Sequence, residues 1–219
     1  MSEASSFSER MRARADRTWR AVLRHRFFRE VATDAIADRV FARYLRIEYG
    51  FVDTAAMALG YAVAKAPSFQ ERKRLGLGLY GLVTEQEQVF ADAFALMGAP
   101  PTERTGLPPQ GLALPLHTLF LKAAETEGYE EILACTLAAE WMYLTWCSAA
   151  SQSPSSRAYI RDWVALHAGG AFAEHVAWVR AEIDARGPAL PQPRQVRLAA
   201  LFEQVLEAEI AFHDAAYAP

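Results

Sequence analysis

The stretch YEEILACTLAAEWMYLTWCSAA, residues 129–150, decides the fold. Wound at 3.6 residues per turn it presents apolar side chains on almost every side. Such a helix belongs inside a shell of other helices or inside a lipid bilayer. Between Ile132 and Ala150 its single charge is Glu140, accompanied by several polar residues. That content argues for a buried core helix and against a membrane span.

Working outward, the rest of the chain reads as helix with short breaks and no strand alternation. Ser6 with Glu9 forms a capping box for a first helix running to about Leu23. Asp34 is read as the start of a second helix, which Pro67 ends near Ala66. Ser68 with Glu71 opens a third, reaching Met97, with Gly98 as its C-cap. Residues 99–111 hold four prolines and two glycines and read as a loop. A helix over 113–127 precedes the central one. Others are predicted over 156–168, interrupted at Gly169-Gly170 and continuing to 185, and over 194–217. Long helices with short connections predict a helical bundle, and 1–219 reads as one domain.

Composition agrees. The chain has 219 residues, 52% of them hydrophobic and 22% charged, with a net charge of −3, as expected of a globular chain with a large core. The weak acidic balance and the lack of a basic patch speak against nucleic acid as a partner. Arg10, Arg12, Arg14 and Arg17 read as a solvated face. No leader or membrane segment is expected, so residence is predicted to be cytoplasmic. Cys135 and Cys147 lie on one helix, out of disulfide reach of each other.

Polar groups on apolar stripes point to function. Glu48 interrupts the stripe of Phe41, Tyr44, Leu45, Phe51, Val52 and Ala55. Glu209 interrupts that of Phe202, Val205, Leu206, Phe212 and Ala216. Glu140 interrupts the central helix, and His117 lies with Leu114, Phe120, Leu121 and Ala124. A lone buried carboxylate costs several kcal/mol. Three of them on separate helices predict a shared internal pocket, with their pKa values driven apart for acid–base work. Weaker candidates are Glu87, at the edge of its stripe, and the i, i+4 pair Glu209 and His213, which could touch a metal. No Glu-x-x-His pair of a di-iron bundle is present. His25 could serve a haem but reads as a structural histidine, and the tryptophans read as core. No cofactor and no metal is expected.

His25-Arg26-Phe27, then Phe41-x-x-Tyr44-Leu45-x-x-Glu48-x-x-Phe51-Val52, resembles the opening of the TenA family. Glu140-Trp141-Met142-Tyr143 is similar to that family's central helix, Tyr159 with Trp163 and Val164 to its Tyr/Trp segment, and Glu209-Ile210-Ala211-Phe212-His213-Asp214 to its terminal motif. The matches span nearly the whole chain in order. The resemblance implies an all-α, heme-oxygenase-like helical bundle, assembled as a homodimer or homotetramer. It also implies a hydrolase that cleaves a C–N bond in thiamin or an aminopyrimidine breakdown product. It places Glu140 where one branch of the family carries a catalytic cysteine, with Glu209 as the second catalytic group. Glu48, Phe51, His117, Tyr143 and His167 become substrate-binding positions. Alternatives on the same scaffold are a cofactor- or metal-dependent oxidase or haem-handling protein, and a non-catalytic regulatory binding protein.

Overall fold

The computed structural model describes residues 5–218, and every regular element among them is helical. Eleven α-helices are present among the described residues. Ser6 caps α1 (Phe7–Arg14) through an Oγ that accepts from the Glu9 amide at 3.4 Å. The helix expected to continue to Leu23 breaks at Ala15, and α2 (Asp16–Leu23) restarts from there. A short α3 (Arg26–Ala32) follows, capped by His25, whose Nδ1 accepts from the Phe27 amide at 3.2 Å.

Asp34 does not open the next helix. It adopts φ 56°, a left-handed turn conformation that a short polar side chain tolerates. Its carboxylate accepts from the hydroxyls of Ser155 and Ser156 at 2.5 and 2.6 Å and pairs with Arg157 at 3.0 Å. These donors hold its pKa well below the usual carboxylate range. Asp34 thus ties two loops together, and the long α4 (Asp38–Lys65) starts four residues later. The Lys65 ammonium at its end donates to the carbonyls of Ala124 and Glu127 at 2.5 and 2.7 Å, satisfying orphan acceptors at the end of the later helix over Leu114–Thr126.

Ser68 caps α5 (Phe69–Gly81), its Oγ accepting from the Gln70 amide at 3.1 Å. The helix expected to run unbroken to Met97 widens into a π-turn over Leu82–Gln86 before α6 (Glu87–Leu96). Gly98, with φ +67°, closes it as a left-handed cap. The proline-rich loop is fastened to α4 by the Leu107 amide, which donates to Arg46 O at 2.7 Å.

Next come α7 (Leu114–Thr126), the central α8 (Tyr129–Ala150), α9 (Ala158–Ala168), α10 (Gly170–Arg186) and α11 (Gln192–Asp214). As its sequence demands, α8 is buried on nearly all sides, packed against α7, α9, α10 and α11. Arg194 ties the start of α11 to that of α8 through Glu131 at 2.6 Å and Glu130 at 3.0 Å. A single hydrophobic cluster reaches from Phe7 to Ala216, and it includes both cysteines, which are free thiols. None of the described helices is long and apolar enough to cross a membrane.

Candidate functional site

The helical stripes place their polar interruptions in two adjoining compartments. The first is a fully buried polar cluster between α4, α8, α9 and α11. Glu48 from α4 accepts from Trp163 Nε1 at 2.9 Å, and His167 Nε2 lies 3.8 Å from its other oxygen. Trp163 is therefore more than core filling, because it holds a carboxyl oxygen. Tyr44 and Tyr143 share a 3.0 Å hydrogen bond between their hydroxyls. Tyr143 OH is also 3.2 Å from His213 Nε2 and 3.5 Å from Glu209 Oε2.

Proton bookkeeping fixes the states of these groups. His213 Nδ1 lies 2.7 Å from the backbone oxygen of Glu209, so Nδ1 carries the proton and Nε2 can only accept. The single Tyr143 proton can go to that nitrogen or to Glu209 Oε2. Either hydroxyl of the Tyr44–Tyr143 pair can donate across the bond between them. Burial, reinforced by the Glu48 charge, pushes Glu209 up to about 8, while the Tyr143 hydroxyl opposes the rise. Burial pushes Glu48 up to about 7 against the opposing hydrogen bonds of Trp163 and Tyr44. The same burial lowers His167 to about 4 and His213 to about 3, so both rings are neutral at pH 7.

The second compartment is a cavity of about 640 Å³, open on one side and lined by α4, α5, the π-turn, α7, α8, α9 and α10. Its volume is that of a small-molecule site. Phe51 and Phe120 supply aromatic wall, and Thr136, Ala139 and Glu140 line it from one face of α8. Gln86 reaches it from the π-turn, a wider turn that recurs at functional sites. Glu140 Oε2 is buried and accepts no hydrogen bond from any described residue. His175 Nε2, from α10, stands 3.4 Å from that oxygen. Burial raises the Glu140 pKa, and the nearby His175 partly offsets this. Gly78 on α5 makes room for His175, because a Cβ there would come within 3.3 Å of the imidazole.

The two compartments touch. Tyr143 lies one turn beyond Glu140 on α8. Phe172, on the cavity wall, packs its ring 5.1 Å from His167. The structure thus brings Glu48, Tyr143, His167 and Glu209 together and puts Glu140 and Phe51 on the adjoining cavity. The single pocket expected for the three glutamates is two neighbouring ones. His117 departs from expectation. It lies behind Phe51, ring centroids 5.0 Å apart, and lines a different pocket on the far side. Glu87 is exposed and accepts from Tyr49 OH at 3.1 Å. His25 is structural, its Nε2 3.0 Å from Asp214. Among the described residues no three His, Cys, Asp or Glu side chains cluster as a metal site would require. Periodicity gave no sign of His175, Tyr44 or Trp163 as site residues. The one available signal was Glu140, whose charge on so apolar a helix requires a partner from another element.

Fold and site define an all-α bundle with a small-molecule cavity beside a nest of buried carboxyls. The chain belongs to the TENA/THI-4/PQQC family, whose model matches residues 12–218. Among solved structures it is similar to a TenA homologue from Pyrococcus furiosus, with 21% identity and a TM-score of 0.87 over 96% of this chain and 100% of that one. A TenA family transcription regulator from Silicibacter sp. TM1040 gives 21% identity and a TM-score of 0.89, with both chains covered to 100%. A candidate TenA-like thiaminase from Sulfolobus solfataricus gives 15% and 0.81, over 98% of this chain and 97% of that one. These likenesses establish the fold. No curated protein matches the chain in sequence.

Proposed function

We propose that the chain is a hydrolase of thiamin salvage, cleaving a C–N bond in an aminopyrimidine or a related thiamin breakdown product. Family membership and the similarity to a candidate TenA-like thiaminase support the substrate class. The observation that carries the reading is a pair of unlike carboxyls on two helices, Glu140 on α8 and Glu209 on α11, with Tyr143 one turn from the first and 3.5 Å from the second. Glu140 lines the cavity and its Oε2 accepts no hydrogen bond from any described residue, while Glu209 is held neutral near pH 7. One is placed to accept a proton and the other to give one.

In this mechanism Glu140 takes a proton from water as the water oxygen bonds to the substrate carbon. The C–N bond breaks and its electron pair stays on nitrogen. Glu209 supplies the proton that neutralises the leaving amine, relayed by the Tyr143 hydroxyl. Phe51 stacks on the ring, and His117 positions Phe51 from behind instead of touching the ring itself. Glu48 and His167 hold the polar edge of the pyrimidine. The exposed apolar side chains of Phe69, Leu77, Tyr80, Val83 and Leu96 suit burial against further copies of the chain, as a dimer or tetramer.

Calorimetric titration with thiamin and thiamin-derived aminopyrimidines tests the binding half of this reading. A saturable heat is expected for at least one, weakened roughly ten- to a hundredfold by Glu48→Gln through loss of a charge-assisted contact. Absence of binding across that series would remove the substrate assignment.

A further inference from the structure

A second pocket, of about 310 Å³, lies on the other side of His117 from the cavity. Arg43 of α4, His117 of α7, Gln110, Gly111 and Leu112 all line it, and among the described residues no acidic side chain does. Arg43 Nε is shut off from solvent and has no hydrogen-bond partner among the described residues. His117 is only 2% exposed. Its Nδ1 lies 2.7 Å from Thr54 Oγ1, and Nε2 is left without a partner among the described residues. A 3₁₀ turn, Gly111–Ala113, leads directly into α7. The Ala113 and Leu114 amides donate to the carbonyls of Gln110 and Gly111, and Pro115 has no N–H, so the amides of this turn without an acceptor among the described residues are those of Gly111 and Leu112.

A guanidinium, an imidazole nitrogen and two backbone amides on one pocket, with no acidic side chain among its described lining, make a receptor for negative charge. We propose that this pocket binds a small oxyanion, a phosphate or carboxylate group, held by Arg43, His117 Nε2 and the amides of Gly111 and Leu112. With Nε2–H donating to the anion, Nδ1 accepts from the Thr54 hydroxyl, so every polar atom of the ring is satisfied. The site is distinct from the hydrolytic cavity but shares a wall with it. The His117 ring meets Phe51 edge to face at 78°, and Phe51 lines the cavity. An occupant of the second pocket therefore fixes the ring that backs the first.

The test is titration of the full chain with inorganic phosphate and, separately, with acetate, followed by amide NMR without substrate. It is independent of the hydrolase reading. Saturable shifts at Gly111 and Leu112 are expected for at least one anion at millimolar concentrations. Tighter phosphate binding would mark a phosphoryl ligand, and tighter acetate binding a carboxylate. Arg43→Gln should weaken binding roughly ten- to a hundredfold, the worth of a charge-assisted hydrogen bond. Arg43→Lys keeps the charge but not the fork and should fall between. Arg17→Gln, an exposed arginine on α2, should change nothing. No saturation by either anion would overturn the proposal. So would binding indifferent to both Arg43 variants, or lost equally with Arg17→Gln.

Discussion

Replacing Glu209 by glutamine should make the protein more tolerant of alkaline pH. In the folded chain this carboxyl stays protonated up to about 8, against an ordinary value of 4.5, because burial and the Glu48 charge disfavour its ionised form. In the unfolded chain it ionises at the ordinary value. A raised acid pKa means stability that is fully present below pH 4.5 and lost as pH rises towards 8. The difference between those values sets an upper bound of about 5 kcal/mol on the loss, and relaxation around the new charge will lower it to roughly 2–5 kcal/mol. Glutamine keeps the shape and cannot ionise. At pH 5 the variant should lie within about 1.5 kcal/mol of the wild type, the usual worth of one altered hydrogen bond. At pH 9 it should be the more stable of the two. Urea unfolding at intervals from pH 5 to 9 reads this directly. Parallel stability curves for the two proteins would refute the claim that Glu209 is buried and neutral.

Other consequences are as specific. His175 lowers the Glu140 pKa, so His175→Asn should move the acidic limb of the pH–rate profile to higher pH, and an unmoved limb would separate the two residues. Burial pushes Cys135 up to about 12 and raises Cys147 as well. Neither thiol should react with a thiol reagent in the native state at pH 8, and both should react on unfolding. Light scattering at micromolar concentration should give two or four copies, whereas a monomer would refute assembly through the apolar face of α5 and α6.

Much of this architecture is legible in the sequence because helix-making signals are local. Ser6, Ser68 and Gly98 announce helix ends by chemistry confined to one turn, and the apolar wrap of 129–150 announces the centre of the bundle. Glu48 and Glu209 are legible as buried for the same reason, since each breaks a stripe of fixed period. What the sequence hides is which stripes face one another. The approach of His175 to Glu140 depends on how α10 crosses α8, and the separation of His117 from the cavity depends on which side of Phe51 α7 passes. Periodicity places a residue on a face but not opposite a partner. Asp34 misleads because aspartate serves both helix starts and left-handed turns, and its three partners lie more than a hundred residues away. The π-turn at Leu82–Gln86 has no motif that separates it from continuous helix.

The central claim is that Glu140 is the base for C–N hydrolysis in the cavity beside the Glu48–Glu209 cluster. The measurement that tests it most directly is release of the amine from a thiamin-derived aminopyrimidine by the wild type and by Glu140→Gln, at matched substrate saturation. Turnover should fall by roughly two to four orders of magnitude, the usual contribution of a general base, while calorimetric binding of the same compound persists. Full turnover by Glu140→Gln would show that the carboxylate is structural and that the cavity's chemistry lies elsewhere.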